Sequence, residues 1–389
     1  MTLNFSSEQV TKILTEVAKA EDGYNQVLQI TIEALMRAER EEHLKATPTD
    51  KGNGYRNRKS FGSGKILELK VPRTRQGAFY PVLLSILKDQ QAECQRLAYS
   101  LYSKGLTSMQ VGDLFEEIYG KHYSKASVSN MMDFAREEVR SYLDRCLDDY
   151  YPIIYVDAIF IATRRDDLVT KEAFYTVLGV RHDRTREVLA VVNMPGESAG
   201  GWKGVFDDLK RRGVFKIGLL VSDGLTGIED ALAAVYSGTA HQLCVVHLQR
   251  NILNQVKAGD KQAVAHGLKE VFTMYDPADS PKAGFARFKK FAAQWAKKYP
   301  AIQRMANNPR YELYFTFLRY HPAVRPMIYT TNWIERLNKD YRRVTRMRGA
   351  LPNSEAVILL LGSVAIGRRN FERKIPKLNY EKTLFNWSE

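Results

Sequence analysis

The chain has 389 residues, of which 44% are hydrophobic, and its formal net charge at pH 7 is +14. This length exceeds that of one compact core, so we expect about two to four domains. The basic excess favours a polyanionic partner, nucleic acid first, over ordinary solubilising charge. The three cysteines are too few and too widely spaced for a disulfide framework, which indicates a reducing compartment.

The sequence carries no pattern typical of a secreted or membrane protein. Residues 1–10 lack a basic region followed by an apolar one, so no signal peptide is predicted. The longest apolar run, residues 356–367, is too short to span a bilayer. We therefore expect a cytoplasmic protein that makes no contact with a membrane.

The N-terminal region, residues 1–80, is predicted to be helical and to end in a basic arm. Apolar and charged positions alternate at helical spacing up to residue 45. Residues 46–65 are polar, glycine-rich and basic, which is typical of a flexible arm or linker. Residues 66–75 alternate with period two and are predicted to form a short strand. The candidate DNA contacts of this region are Arg73 and Arg75.

Residues 81–149 are predicted to form a helix-turn-helix DNA-binding domain. Thr107 is placed to cap one helix, a turn follows at Gly120, and Ser124 is placed to cap a second helix. Small polar residues at the front of a second helix are typical of a recognition helix in a DNA groove. A plain helical bundle is the alternative. The candidate groove contacts are Ser127, Ser129 and Asn130.

From residue 150 onward the pattern predicts an α/β fold with a mixed sheet flanked by helices. Three strand-like runs separated by polar turns come first, and helices then alternate with two further strands. A long helical stretch, rich in lysine and aromatic residues, separates this sheet from the last part of the chain. The predicted domains are 1–80, 81–149, a sheet domain at 150–250, an all-helical insertion at 251–325, and 326–389, which completes the sheet domain.

Two acidic residues occupy unusual positions in the predicted sheet. Asp157 lies in the middle of an otherwise apolar strand, where an ionised carboxylate needs a metal ion or a buried arginine beside it. Asp223 ends the apolar run "IGLLVSDG", and open α/β sheets bind ligands at the carboxyl ends of their strands. Each acid also has a simpler explanation, a buried ion pair for Asp157 and a turn formed with Gly224 for Asp223.

A third acid, Glu335, lies in the strongly basic helical stretch "TTNWIERLNKDYRRVTR". The simple explanation is a salt bridge to Lys339, four residues later on the same helix face. With Asp157 and Asp223, however, Glu335 would complete a set of carboxylates able to hold two divalent cations about 3.5–4 Å apart. The basic candidates for DNA phosphate contacts on this helix are Arg336, Lys339, Arg342, Arg343 and Arg346.

Cys244 and His247 form an isolated C-x-x-H pair. A structural zinc site needs four ligands, usually from two such pairs, and no second pair lies nearby in the sequence. A half-buried strand end is the explanation that requires no function. The pattern by itself does not decide between these possibilities.

Over nearly its whole length the sequence resembles the mutator-type bacterial insertion-sequence transposases. The resemblance is carried by "LELKVPRTRQGAF" at 67–79, "YVDAIF" around Asp157, "VSDGLTGI" around Asp223, "CVVHLQRNI" at 244–252 and "TTNWIERLNKDYRRVTRMRGALP" at 330–352. Members of this family are DDE transposases with an RNase H-like catalytic core. One departure is Trp333, where the family often has a small residue.

The resemblance implies that Asp157, Asp223 and Glu335 are the catalytic acids and hold two Mg²⁺ ions, with Mn²⁺ as a substitute. It places Cys244 and His247 close to these acids, as a pair that positions the core or the DNA. It also implies a bacterial, nucleoid-associated enzyme that acts on double-stranded DNA, both terminal inverted repeats and target DNA. Because two DNA ends must be joined, we expect a homodimer or a larger assembly on DNA.

The implied reaction is DNA strand cleavage and strand transfer by a polynucleotidyl transferase. Water, and then a DNA 3′-hydroxyl, attacks phosphorus in line. Two other functions fit the residues: an RNase H-like nuclease that does not transfer strands, and a helix-turn-helix regulator with an inert core. Strand transfer of a pre-cut end separates the first two, and any metal-dependent nicking excludes the third.

Overall fold

The computed structural model of the protein describes residues 11, 15, 22–61, 66–77, 79–119, 125–166 and 168–367. The chain divides into two compact units, Met1–Arg136 and Glu137–Glu389, and each is described by itself. No helix among the described residues has the length and apolar character needed to cross a membrane.

In the N-terminal unit a helix packs on a β-hairpin. Helix α1 spans Gly23–Ala46, and strands β1 (Gly52–Phe61) and β2 (Ile66–Thr74) pair antiparallel. Leu67, Leu69 and Val71 of β2 are buried and alternate with exposed residues, as the period-two pattern predicts for this part of the strand. The side chains of this small core are Ile32, Met36, Leu67, Leu69, Val71 and Leu84.

The prediction of a flexible arm is wrong for residues 52–61, because these residues form β1. The sequence "GNGYRNRKSF" lacks apolar alternation, so its strand character comes from pairing with β2 and not from a buried face of its own. Helix α1 protects the other edge of β2. The amide of Gln29 donates to the carbonyl of Glu68, and the carboxylate of Glu33 accepts from the backbone N–H of Lys70, both at 2.9 Å.

Three helices follow the hairpin: α2 (Leu83–Ser103), α3 (Ser108–Tyr119) and α4 (Lys125–Asp144). Thr107 caps α3 as predicted, because its hydroxyl accepts from the N–H of Gln110 while the Gln110 side chain accepts from the N–H of Thr107. The predicted turn and second cap, at Gly120 and Ser124, lie outside the described residues. The side chains of Ser127, Ser129 and Asn130 are likewise not described, so the helix-turn-helix stays a prediction.

The second unit is built on a mixed sheet whose five described strands follow the order β5-β4-β3-β6-β7. The three strands predicted first form an antiparallel meander, and the two later strands run parallel to β3. Their bounds are β3 Tyr150–Arg165, β4 Leu168–Val180, β5 Arg186–Asn193, β6 Lys216–Ser222 and β7 Ala240–Leu243.

One face of this sheet is covered by helices α5 (Ala199–Arg211) and α6 (Ile228–Val235). Ile154 and Val156 of β3 belong to the core on that side, which also contains Trp202 and Phe206 of α5. Because side chains alternate along a strand, Asp157 projects from the opposite face. The apolar core therefore packs on the first face of the sheet, and the side chain of Asp157 lies on the second.

Residues 251–325 contain helices and turns and no strand, as predicted. Gln242 of β7 ties them to the sheet, since its amide donates to the carbonyl of Tyr314 and accepts from the N–H of Phe317. The helices that overlap this stretch are α7 Val245–Asn254, α8 Lys261–Val271, α9 Pro281–Trp295, α10 Pro300–Asn307 and α11 Arg325–Ile328, with 3₁₀ segments at Ala258–Asp260 and Pro309–Arg319.

The chain then returns to the sheet with α12 (Asn332–Arg346) and α13 (Ser354–Ile366). The apolar residues spaced along α12 (Ile334, Leu337, Tyr341 and Val344) are all buried. Between the two helices, Leu351 exchanges backbone hydrogen bonds with Ala162 and Arg164 at the far end of β3. The last part of the chain is thus fixed to the strand that carries Asp157.

Candidate active site

Strand register brings Asp157 and Asp223 side by side. Val156 of β3 pairs with Ser222 of β6 in the parallel ladder. The residues that follow this pair are Asp157 on β3 and Asp223 directly after β6. In the same way Ser222 pairs with Leu243 of β7, and the N–H of Cys244 donates to the carbonyl of Ser222 at 2.8 Å. Two acids and the cysteine therefore lie at one level of three neighbouring strands.

Asp157 is buried, with a relative exposure of 8%. One carboxylate oxygen accepts from the N–H of Ala158 at 2.9 Å, and the other accepts from the amide of Asn338 at 2.8 Å. Burial raises the pKa of Asp157 to about 6; the charges of Asp223 and Glu335 add to this shift, while His247 and the Ala158 N–H oppose it. A buried arginine, the simpler explanation for this acid, is not its hydrogen-bond partner.

Asp223 is more accessible, with 41% of its side chain exposed. Its carboxylate accepts from the N–H of Gly224 at 2.8 Å, so the Asp-Gly turn that the sequence suggests does form. The same carboxylate oxygen also lies 3.8 Å from Nδ1 of His247. Asp223 therefore forms the turn with Gly224 and also lies beside Asp157.

Glu335 lies in the first turn of α12, where a negative charge is favoured by the helix dipole. Its Oε1 is 3.2 Å from Nη1 of Arg250 and 3.9 Å from Nε2 of His247. The simple prediction of an ion pair with Lys339 is wrong, because Glu335 turns toward helix α7 and away from the later residues of its own helix. His247 thus stands between Glu335 and Asp223.

Cys244 and His247 lie where β7 passes into α7, with Cys244 in the capping position and His247 in the first turn. The predicted strand end is correct in position, since Cys244 directly follows β7, but Cys244 is fully buried and the helix begins one residue after it. Its thiol lies 3.9 Å from the hydroxyl of Thr330 and 3.5 Å from that of Thr331, just before α12.

The cysteine and the histidine also interact with each other. Hydrogen bonding to Cys244 raises the pKa of His247 to about 9 against the opposing effect of burial, and Asp223 and Asp157 add to the increase. Burial by itself would raise the pKa of the Cys244 thiol, but the hydrogen bond and charge of His247 outweigh it and lower that pKa. With this pKa the imidazole of His247 is protonated at neutral pH, and its positive charge lies between carboxylates.

The donor atoms of the three acids suit a hard divalent cation, since Mg²⁺ prefers carboxylate oxygen ligands. Burial is the main cause of the raised pKa of Asp157, and the repulsion from Asp223 and Glu335 that adds to it is of the kind a bound cation would relieve. In the described part of the chain, however, no three His, Cys, Asp or Glu side chains converge closely enough to hold one ion as they stand. The positive side chains next to the Glu335 carboxylate are instead those of Arg250 and His247.

Comparisons with known proteins identify the family of the chain. The family model described as "Transposase, Mutator family" matches residues 1–373. The chain belongs to the Mutator family of transposases. A probable transposase for an ISRM3-like insertion sequence element of Sinorhizobium fredii is 33% identical over 335 residues, which are 85% of this chain and 82% of that protein.

Two further relatives extend the match across almost the full length. The transposase for insertion sequence element IS1201 of Lactobacillus helveticus is 29% identical over 94% of this chain and 99% of its own length. The transposase for insertion sequence element IS256 in transposon Tn4001 of Staphylococcus aureus is 26% identical, with 92% of this chain and 93% of that protein covered. The resemblance to insertion-sequence transposases is therefore confirmed.

In this Mutator-family chain the predicted basic residues of α12 lie at the surface. Arg336, Lys339, Arg342, Arg343 and Arg346 are all exposed. Arg73 and Arg75, at the end of β2 in the N-terminal unit, are exposed as well. All seven side chains are thus accessible to a polyanion, while their contact with DNA stays a prediction.

Two residues close to the acids were not predicted from the sequence. Arg250 lies one turn after His247 on α7 and would have required knowledge of where that helix begins. Asn338 lies one turn after Glu335 and is fully buried. Its only sequence signal is a polar residue placed between the buried Leu337 and Tyr341 of an apolar stripe.

Trp333, the departure from the family pattern, lies half-buried between two arginines. The guanidinium of Arg186, at the start of β5, is 4.4 Å from the ring centroid, and that of Arg336 is 5.2 Å away. Cation–π contacts of this kind attach the beginning of α12 to the neighbouring strand. The large side chain therefore has a packing role two residues before Glu335.

Proposed function

We propose that this protein is a DDE transposase in which Asp157, Asp223 and Glu335 are the catalytic acids. The observation that carries the proposal is the parallel register of β3 and β6, which sets Asp157, in the middle of β3, next to Asp223 at the carboxyl end of β6. Glu335 reaches the same place from α12, within 3.9 Å of the imidazole that also faces Asp223. The strand order, with its antiparallel meander and two further parallel strands, supports an RNase H-like core.

The reaction that fits these acids is cleavage and transfer of DNA strands by in-line attack of water and then of a DNA 3′-hydroxyl. The three carboxylates would hold two Mg²⁺ or Mn²⁺ ions, which supply charge stabilisation and activation of the attacking oxygen. Because Glu335 now contacts Arg250, loading the site requires that this side chain turn toward Asp157 and Asp223.

The side chains around the acids have distinct tasks in this proposal. The carboxylate of Asp157 accepts a hydrogen bond from the amide of Asn338, and burial excludes water from it. His247, protonated at neutral pH because its pKa is raised to about 9, balances the charge of Asp223 and Glu335. Arg250, whose side chain is 58% exposed, can pass from Glu335 to a DNA phosphate.

Recognition of the DNA ends is assigned to the N-terminal unit. The hairpin and its flanks, residues 51–75, contain one acid, Glu68, among numerous lysines and arginines. A two-stranded ribbon of this size fits a DNA groove, and the predicted helix-turn-helix would supply base contacts. Terminal inverted repeats and target DNA are the proposed partners, bound by a homodimer or larger assembly because two ends must be joined.

The decisive experiment combines single substitutions of the acids with three assays on the full chain. Asp157→Ala, Asp223→Ala and Glu335→Ala should each abolish metal-dependent cleavage and strand transfer while retaining binding to the repeat ends. Asp230→Ala, which removes an exposed carboxylate of α6, is the matched control and should behave as wild type. Cleavage by any of the three acid variants at a rate near that of wild type would remove that residue from the proposed triad.

The same assays separate the two rival functions. A nuclease would cut end DNA but would not join a pre-cut 3′ end to target DNA. A regulator with an inert core would bind ends and show no metal-dependent nicking. For end recognition, Arg73→Ala combined with Arg75→Ala should weaken binding to repeat ends and leave a melting temperature close to that of wild type, because both side chains are exposed.

A further inference from the structure

Asn338 connects the helix of Glu335 to the strand of Asp157. It lies three residues after Glu335 on α12, and none of its surface is exposed. Its side-chain Nδ2 donates a 2.8 Å hydrogen bond to Oδ2 of Asp157, a residue far away in the sequence. Among the described side chains, this bond is the direct polar contact between α12 and the buried acid.

The chemistry of the two groups determines how the amide is oriented. A carboxylate only accepts hydrogen bonds when it is ionised, so Nδ2 must face Asp157 and Oδ1 must face away. In that orientation Oδ1 is buried and has no hydrogen-bond partner among the described residues. Burying an amide oxygen in this way costs free energy, since its bonds to water are lost and not replaced.

The surroundings of Asn338 favour an apolar residue at this position. Leu337 and Tyr341, on the same side of the helix, are fully buried and belong to the stripe that packs α12 on the sheet. A leucine in place of Asn338 would remove the unpaired Oδ1, but its side chain is larger and it would take the donor away from Oδ2 of the buried Asp157. Packing therefore does not account for the asparagine, whereas the bond to Asp157 does.

We propose that Asn338 is a positioning residue of the active site, an inference that rests on the proposed role of Asp157 and Glu335 as metal-binding acids. Its amide fixes the rotation of the Asp157 carboxylate relative to the helix that carries Glu335. Because Asn338 lies one turn after Glu335, the Asp157 carboxylate is held at the turn of α12 that carries Glu335, and only the Glu335 side chain has to turn when cations bind. Hydrogen-bond partners of metal-binding carboxylates contribute strongly to affinity, and their loss typically weakens metal binding about 10–100-fold.

The test uses Asn338→Leu in the full chain, with Mn²⁺ binding measured by calorimetry in the absence of DNA. The expected result is an affinity for Mn²⁺ that is lower by about 10–100-fold in a variant that keeps a cooperative thermal transition. Asn338→Gln keeps an amide donor on a longer side chain and should recover part of the affinity. Strand transfer of a pre-cut end should decrease more in Asn338→Leu than in Asn338→Gln. Binding to repeat ends should be unchanged in both variants.

Two further variants make the outcome decisive. Val344→Ala creates a cavity on the same buried stripe without touching the acids, so it should lower the melting temperature and leave Mn²⁺ affinity unchanged. Asp157→Ala should lose Mn²⁺ binding if the proposed function is correct, and retention of binding would contradict that function itself. If Asp157→Ala loses binding while Asn338→Leu binds Mn²⁺ as wild type does, the positioning role of Asn338 is wrong and the proposed function stands.

Discussion

Arg250 and Glu335 form an ion pair between α7 and α12, with 3.2 Å between Nη1 and Oε1. The two residues lie on opposite sides of the helical stretch in the sequence, and only 22% of the Glu335 side chain is exposed. In this state a proposed catalytic acid is neutralised by an arginine that is itself accessible to solvent. The ion pair competes with any cation that Glu335 would bind.

This competition leads to the first prediction. Arg250→Ala should raise the affinity of the DNA-free protein for Mn²⁺ by about twofold to fivefold, the range expected when a partly exposed ion pair is removed. Calorimetric titration measures it. Arg211→Ala is the control, because Arg211 forms a comparable exposed ion pair with Asp208 on α5, at the other face of the sheet. A lower affinity in Arg250→Ala would show that the arginine supports metal binding and does not oppose it.

The second prediction concerns the exposed arginines of α12. Arg342→Ala and Arg346→Ala should weaken binding of cleavage-site DNA almost independently of its sequence, since phosphates carry no sequence information. Each variant should reduce the slope of log affinity against log salt concentration by about one for each phosphate that the helix no longer neutralises. Melting temperatures should stay near that of wild type, because both side chains lie off the buried stripe.

Binding over a salt series measures this effect, and Arg211→Ala again provides a matched surface charge. If both α12 variants keep the wild-type slope and normal strand transfer, this helix face is ordinary solvated charge.

The third prediction is that Cys244 needs no zinc. Cys244→Ala should fold, with a loss of about 1 kcal/mol from the missing sulfur contacts in a fully buried position. Metal analysis of the purified wild-type protein should find no stoichiometric zinc. Cys146→Ala is the control, because Cys146 is an exposed free cysteine. Stoichiometric zinc that disappears in Cys244→Ala together with the thermal transition would establish a structural zinc site.

The fourth prediction is a pH dependence that originates at Asp50, between α1 and β1. Burial by itself would raise the pKa of Asp50, but hydrogen bonds, among them those from the N–H groups of Gln76 and Lys51, outweigh it and lower the pKa to about 2. A carboxyl group with a lowered folded-state pKa stabilises the fold above its unfolded pKa, near 3.8, and loses that contribution as the pH falls toward 2.

Thermal unfolding of the full chain between about pH 2 and 6 measures the effect. Asp50→Asn should be less stable than wild type at pH 6, and the difference should shrink as the pH falls through the window from about 4 to 2. Asp113→Asn, at an exposed acid of α3 in the same unit, is the control. A constant difference between Asp50→Asn and wild type across this range would contradict the assigned pKa.

The sequence by itself determined the local elements that carry the acids. Apolar runs rich in β-forming residues and bounded by polar turns are enough to predict β3 and its neighbours, because a strand buried on both faces needs apolar residues at successive positions. The apolar residues of α12 recur with the 3.6-residue period of a helix, so the sequence predicts this helix equally well, and all of these residues are buried. An acid within a buried strand, such as Asp157, stands out for the same reason: the free energy of its desolvation needs compensation.

Tertiary structure decided which of these residues meet. The contact of Glu335 with Arg250, and not with Lys339, depends on how α7 and α12 pack, whereas helical spacing describes only neighbours on one helix. Strand β1 exists through pairing with β2, since residues 52–60, whose side chains the structure describes, bury almost no apolar surface. Asn338 is the sharpest case: its residue type is visible in the sequence, but its hydrogen bond to Asp157 forms only when the chain returns to the sheet after the helical stretch.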